Sequence, residues 1–203
     1  MMGTTEQVLD LEQKMLDRVQ NRGGRAACQD DARTFFIMRG SQLRAWTEEM
    51  RQSYREDLRA AAAAGRNLMS EKYAYLMERT SPSEFAALRA LLPPRTPAKQ
   101  SRIDAICAAH LGWLEELTEE FPWLAGRGRP IHRTADSAVC TSFETYLWGE
   151  LATYSLRTLT LYDARVRQLQ DAGENMNRTI LLYTVRQYGY GSLEQAEAGL
   201  AGS

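Results

Sequence analysis

Nowhere does this chain alternate apolar and polar residues two by two; its apolar residues return every third or fourth position instead. That period belongs to the α-helix, and it excludes the half-buried strand, whose side chains switch faces at every residue. The expected fold class is all-α, with residues 1–203 forming one helical domain. The segments add up to a bundle of about seven to nine helices.

The punctuation supports that reading. Residues 5–20 place Val8, Leu11, Met15 and Val19 at helical spacing. Gly23 and Gly24 then allow a sharp turn, and a helix is expected over about residues 26–46. Thr47 suits an N-cap for residues 48–64, and Gly65 suits their end. Asn67 can open the next helix, with Leu68, Tyr73, Leu76 and Met77 as its stripe. Ser81, Pro82 and Glu84 form a helix start, and Pro93 with Pro94 a stop. Residues 98–120 carry Ile103, Ile106, His110, Leu114 and Leu117, and a loop rich in glycine and arginine follows. One long helix is expected over 138–171, a further one from Asn175 to Tyr188, and a short last one from Ser192.

The 26–46 helix has the most unusual chemistry. Counting by threes and fours from Cys28 gives Ala32, Phe35, Arg39, Gln42, Leu43 and Trp46, so a thiol, a cation and an amide share the apolar face. A buried guanidinium needs partners, because an unpaired buried polar group costs about 1–3 kcal/mol. Either other helices supply them or a ligand does. Cys28 lies near the helix start, where the dipole and Arg25 would favour a thiolate, with Asp30 and Asp31 beside it. The plainer alternatives are a core cysteine and a structural ion pair for the arginine. Cys28 and Arg39 stand about 16 Å apart along the helix at 1.5 Å per residue, so one small pocket cannot easily border both.

A second polar group falls in the long helix. Its inward stripe runs Phe143, Leu147, Leu151, Tyr154, Thr158, Leu161 and Arg165, with Glu150 at the edge. Gly149 beside it would let another helix come close. Burial would raise the Glu150 pKa unless an arginine such as Arg39 offsets it. Glu150 is therefore expected to face Arg39 rather than Cys28.

Composition sets bounds on partners. A net charge of −1 offers no electrostatic footprint for nucleic acid. No apolar run reaches transmembrane length and the start lacks a signal-peptide core, so a cytoplasmic protein without membrane contact is expected. Three cysteines with no CxxC pair, Cys28, Cys107 and Cys140, fit a reducing compartment. GxGxxG, GxxxxGK[ST], HExxH and GxSxG are all missing. His110 and His132 have no second ligand at a recognisable spacing, so neither a metal nor a cofactor is expected.

The blocks GGRAACQDDARTFFIMRGSQLRAW, GRNLMSEKYAYLMERTSP, TSFETYLWGELATYS and YGYGSLEQAE resemble the bacterial Domain of Unknown Function 4125 family, over about residues 21–197. The resemblance implies no particular activity, and a nucleotidyltransferase-like partner, because some members are fused to such a domain. It places the family's signature on Arg25, Cys28, Gln29, Asp30, Arg39, Gln42, Asn67, Lys72, Glu150, Tyr154 and Tyr190, which are polar or reactive rather than apolar.

Two functional expectations follow. The first is a small-molecule enzyme of bacterial, amino-acid-derived metabolism, with the reaction open among group transfer, elimination and hydrolysis. Cys28 would be nucleophile, Glu150 general acid/base and Tyr154 hydrogen-bond donor. Arg25, Asp30, Arg39, Gln42, Asn67 and Lys72 would hold a small anionic metabolite. The second is a non-catalytic helical module that binds the nucleotidyltransferase-like protein through exposed Trp113, Trp123 and Trp148. Either would act as a monomer or homodimer.

Overall fold

Capping side chains mark out the helices. The structure, a computed structural model, describes residues 2–20, 24–25, 27–137 and 140–202, leaving aside the side chains of Ala27 and Cys28. The first helices are α1 (Thr4–Leu16), α2 (Ala27–Asp30), α3 (Ala32–Ala45), α4 (Glu48–Ala63), α5 (Leu68–Thr80) and α6 (Pro82–Leu88). There follow α7 (Pro97–Glu120), α8 (Pro122–Ala125), α9 (Phe143–Thr153), α10 (Leu156–Asp171), α11 (Met176–Gln187) and α12 (Leu193–Ala201). The chain is all-helical, with no strand among the described residues. Thr47, Asn67, Thr96, Ser142, Asn175 and Ser192 each accept a backbone N–H of the helix they open. Such caps satisfy donors that a helix start leaves bare.

Among the described residues ten helices are seven residues or longer, more than the seven to nine expected. The excess comes from the segment expected as one helix over 138–171. Tyr154 turns to extended backbone (φ −74°, ψ 150°), and Ser155 starts α10 by accepting the Thr158 N–H. Asp57, from α4, accepts both the Ser155 N–H and the Thr158 hydroxyl, so a neighbouring helix fixes the break. The 26–46 segment also divides. Asp31 accepts the Thr34 N–H and restarts the helix, and Trp46 leaves it in extended conformation.

The core joins residues from most of these elements, with Leu43, Met50, Tyr54, Leu58, Leu68, Ile103, Ile106, Leu151, Tyr154, Leu159 and Met176 the largest deeply buried side chains among it. A smaller cluster of Leu117, Phe121, Val185, Leu193 and Ala196 ties α12 to the ends of α7 and α11. Helices α5 and α9 pack so closely that a Cβ on Gly149 would come 2.5 Å from Leu76 Cδ2 and 3.2 Å from the Lys72 carbonyl. That approach presents the next residue, Glu150, to α5. No helix is long and apolar enough to cross a membrane among the described residues.

Candidate functional site

Four charged side chains from four helices meet inside this core. Glu12 of α1, Arg39 of α3, Lys72 of α5 and Glu150 of α9 are all buried. The Arg39 Nε donates to both Glu12 oxygens, at 2.9 and 2.8 Å. Its Nη1 donates to Glu150 Oε1 at 2.6 Å and to Gln42 Oε1 at 2.7 Å, and its Nη2 to the Tyr154 hydroxyl at 3.2 Å. Lys72 donates to Glu150 Oε2 at 2.7 Å and stands 3.7 Å from the centre of the Tyr146 ring. Hydroxyls complete the set, with Tyr54 donating to Glu12 and Tyr154 to Glu150, each at 2.6 Å. Two cations balance two carboxylates.

The electrostatics follow from that geometry. Burial alone would raise the Glu150 carboxyl, but Arg39 and Lys72 overcome it and hold the group far below the usual carboxylate range. Burial would likewise lower the Arg39 and Lys72 pKa values, yet Glu12 and Glu150 keep Arg39 high and Glu150 keeps Lys72 high. Glu150, expected as a general acid/base, is thereby held in its ionised form beside two cations. Tyr154 is fully buried and its hydroxyl proton is pushed up by burial, so it holds Glu150 in place from behind.

Several expected site residues have structural duties elsewhere. Arg25 is bound by Asp30 at 2.5 Å and Asp17 at 2.8 Å, at the surface and away from the buried cluster. Gln29 donates to the carbonyls of Leu16 and Val19, closing the end of α1. Asn67 caps α5 and donates to the Met15 carbonyl. The Cys28 side chain, the expected nucleophile, lies outside the described residues. Of the other thiols, Cys107 is buried, and burial pushes its pKa up to about 12. Trp113 and Trp148 are buried rather than exposed anchors, and only Trp123 of the three reaches solvent.

Beside the ionic cluster lies a pocket of about 190 Å³ between α3, α7, α9, α10 and α11. Leu114, Leu117, Phe143, Leu147, Ile180 and Leu181 form most of its wall, and Arg39, Gln42 and Glu150 reach its edge. His110, Tyr162 and Asn177 line it as well. The His110 Nδ1 lies 2.6 Å from Asn177 Oδ1, and the Asn177 amide donates to the His110 carbonyl at 2.9 Å. An amide oxygen can only accept, so Nδ1 carries the proton, and the Tyr162 hydroxyl donates to Nε2 across 3.0 Å. Burial pushes His110 down to about 4, despite the opposing Asn177 bond, so the ring is neutral. Among the described residues no group of three His, Cys, Asp or Glu could hold a metal ion.

The sequence reading thus found Arg39, Gln42, Lys72 and Glu150, which the structure brings together, and it missed Glu12, Tyr54 and Tyr162. Glu12 was readable. The buried face of α1 runs Val8, Leu9, Glu12, Met15, Leu16, with the carboxylate in its middle and Leu11 at its edge. Tyr162 was hidden by the assumption of one continuous helix, since the break at Tyr154 resets which residues share a face.

A model of the family described as "Protein of unknown function (DUF4125)" matches residues 3–198. Comparison with curated proteins and with solved structures finds no match.

Proposed function

Because the chain belongs to the DUF4125 family, whose description names no activity, its work has to be read from its own side chains, and we propose that it is an enzyme acting on a small molecule held in the 190 Å³ pocket. One observation carries this reading. Fixed charges at Arg39 and Glu150 and a neutral His110–Tyr162 pair line the same pocket, whose walls are mostly apolar. Small-molecule sites combine apolar walls with a few placed polar groups in this way. Charges and dipoles held rigid in a dry site act on a developing charge without having to reorganise, which makes them worth more there than in water.

The two sides of the pocket would divide the work. Arg39 and Glu150, braced by Glu12, Lys72 and Tyr154, supply a preorganised field along one edge. Tyr162, with its proton directed at His110 Nε2, offers its oxygen lone pairs to a substrate proton, and Asn177 keeps the imidazole in the required tautomer. Amino-acid-derived bacterial metabolism remains the setting we favour, with an uncharged derivative in place of the anion that Arg25 and Arg39 were expected to bind. Both arginines are already committed to carboxylates.

The test is turnover with the pocket filled. Purified protein is incubated with a small-molecule cell extract, and every mass is followed over time beside the Leu147→Trp variant. The wild type is expected to deplete a species that the variant leaves intact while melting at a similar temperature. Depletion of nothing by the wild type, or equal depletion by both, counts against an enzyme at this site. The alternative, a module binding a nucleotidyltransferase-like protein, draws on exposed Trp123 alone among the three tryptophans expected to anchor it.

A further inference from the structure

A second recess lies between α5, α6, the connector that follows and the first turn of α7. It measures about 710 Å³, is open to solvent and shares no lining residue with the pocket beside Arg39. Phe85, Ala86, Ala90 and Leu92 give it an apolar wall. Its backbone has few donors to offer, because Pro93, Pro94 and Pro97 carry no N–H. Most polar groups along it are already engaged. The Tyr75 hydroxyl donates to the Pro93 carbonyl at 2.7 Å and the Gln100 amide to Asp104 at 2.8 Å. Glu78 takes Arg95 Nη2 on both oxygens, at 2.8 and 2.6 Å.

Two guanidinium groups on this wall have hydrogen bonds to spare. Arg95 is gripped by Glu78 and by two rings, its guanidinium carbon standing 4.5 Å from the centre of Trp148 and 5.2 Å from that of Tyr75. Its Nη1 has no acceptor among the described residues, yet solvent reaches it. Arg89, in the short Arg89–Leu91 turn after α6, is exposed and pairs with no carboxylate among the described residues. A side chain already held in one conformation loses little freedom on binding, and a guanidinium offers its N–H groups as a fork that suits a carboxylate. Arg89 and Arg95 against Glu78 leave the wall with a charge of +1. An exposed ion pair is weak alone, so apolar contact has to supply the rest of the affinity. Beyond the reading of the other pocket, we propose that this recess is a second ligand site, for a small organic acid. Its single carboxylate meets Arg89 and Arg95 while its apolar body lies on Phe85, Leu92 and Pro94.

Four probes test this, each titrated to millimolar concentration and followed by protein NMR shifts: phenylbutyrate, phenylbutanamide, phenylbutylamine and acetate. Phenylbutyrate is expected to bind at least about tenfold more tightly than each of the other three, equivalent to about 1.4 kcal/mol. Arg89→Gln and Arg95→Gln should each weaken the acid at least about threefold and leave the amide unchanged. Ala90→Trp should abolish binding, and Leu147→Trp, which fills the other pocket, should not alter it. Should Arg95→Gln fail to fold, Arg89→Gln and the ratios on the wild type still decide. Equal binding of acid and amide, acetate bound as tightly as phenylbutyrate, tightest binding by the amine, or no binding at all overturns the proposal. So does binding that Leu147→Trp abolishes and Ala90→Trp leaves intact. Turnover at the other pocket is judged by Leu147→Trp alone, so either site can fail without the other.

Discussion

Glu150 accepts from a guanidinium, an ammonium and a phenol while only 8% exposed, so its charge cannot be removed without consequence. Breaking one partner out of a buried ionic set costs about 3–5 kcal/mol, because the remaining charges stay buried and uncompensated. Glu150→Gln keeps an oxygen for Arg39 but leaves Lys72 without an anion, and a loss of about 3 kcal/mol is expected in urea melts. A loss under about 1 kcal/mol, the range of exposed pairs, would mean that the cluster is wetter than its burial implies. His110 gives the complementary test through pH. Its pKa falls from the ordinary 6.5 to about 4 on folding, so the unfolded chain binds more protons between those values. Stability is then complete above pH 6.5 and declines as the pH falls toward 4. Between pH 6.5 and 4.5, above the range where Glu150 loses its own contribution, the decline should reach about 2–3 kcal/mol, and His110→Gln should flatten it. An unchanged slope in the variant contradicts the neutral, buried imidazole. At this scale the sequence showed which residues were out of place on an apolar face, Arg39 and Glu150 among them. It also pointed to Glu150 as a partner of Arg39, a pair the structure contains, but it could not show that Glu12 and Tyr54 join them, because pairing depends on which helices touch.

Helix contacts and helix ends decide where those side chains go. At Gly149 α5 comes within a side chain's width of α9, so Gly149→Ala must push Leu76 or shift a helix. Overpacking of this kind costs about 1–3 kcal/mol, and thermal melts should show it. An alanine that melts with the wild type would mean that α5 and α9 can slide apart freely. At the other end of α9, Ser155→Ala removes the oxygen that accepts the Thr158 N–H and should cost about 1 kcal/mol. This junction is also where the sequence was hardest to read. Residues 150–171 contain no glycine or proline to announce a stop, and the Ser155 cap became decisive only with Asp57 of α4 beside it. Elements that carry their own punctuation were legible: Thr47, Asn67, Asn175 and Ser192 do cap the helices that follow them.

Over the whole molecule, α1, α3, α5 and α9 each donate one charge to a neutral cluster, and α7, α10 and α11 close the far side of the pocket beside it. A buried ionic set of this kind is no more stabilising than well-packed apolar side chains, so stability alone does not account for it. Its position at the pocket edge does, if the fixed charges act on what the pocket holds. The helical class was legible because a 3.6-residue period persists along the chain, whereas the pocket was not, since its walls come from five helices whose packing no local pattern encodes. The most direct test is native mass spectrometry of the protein purified gently from the cells that encode it, beside Leu147→Trp prepared in the same way. A single small adduct on the wild type that is absent from the variant is the expected result. The same adduct on both proteins would place the ligand elsewhere and contradict the pocket as the working site.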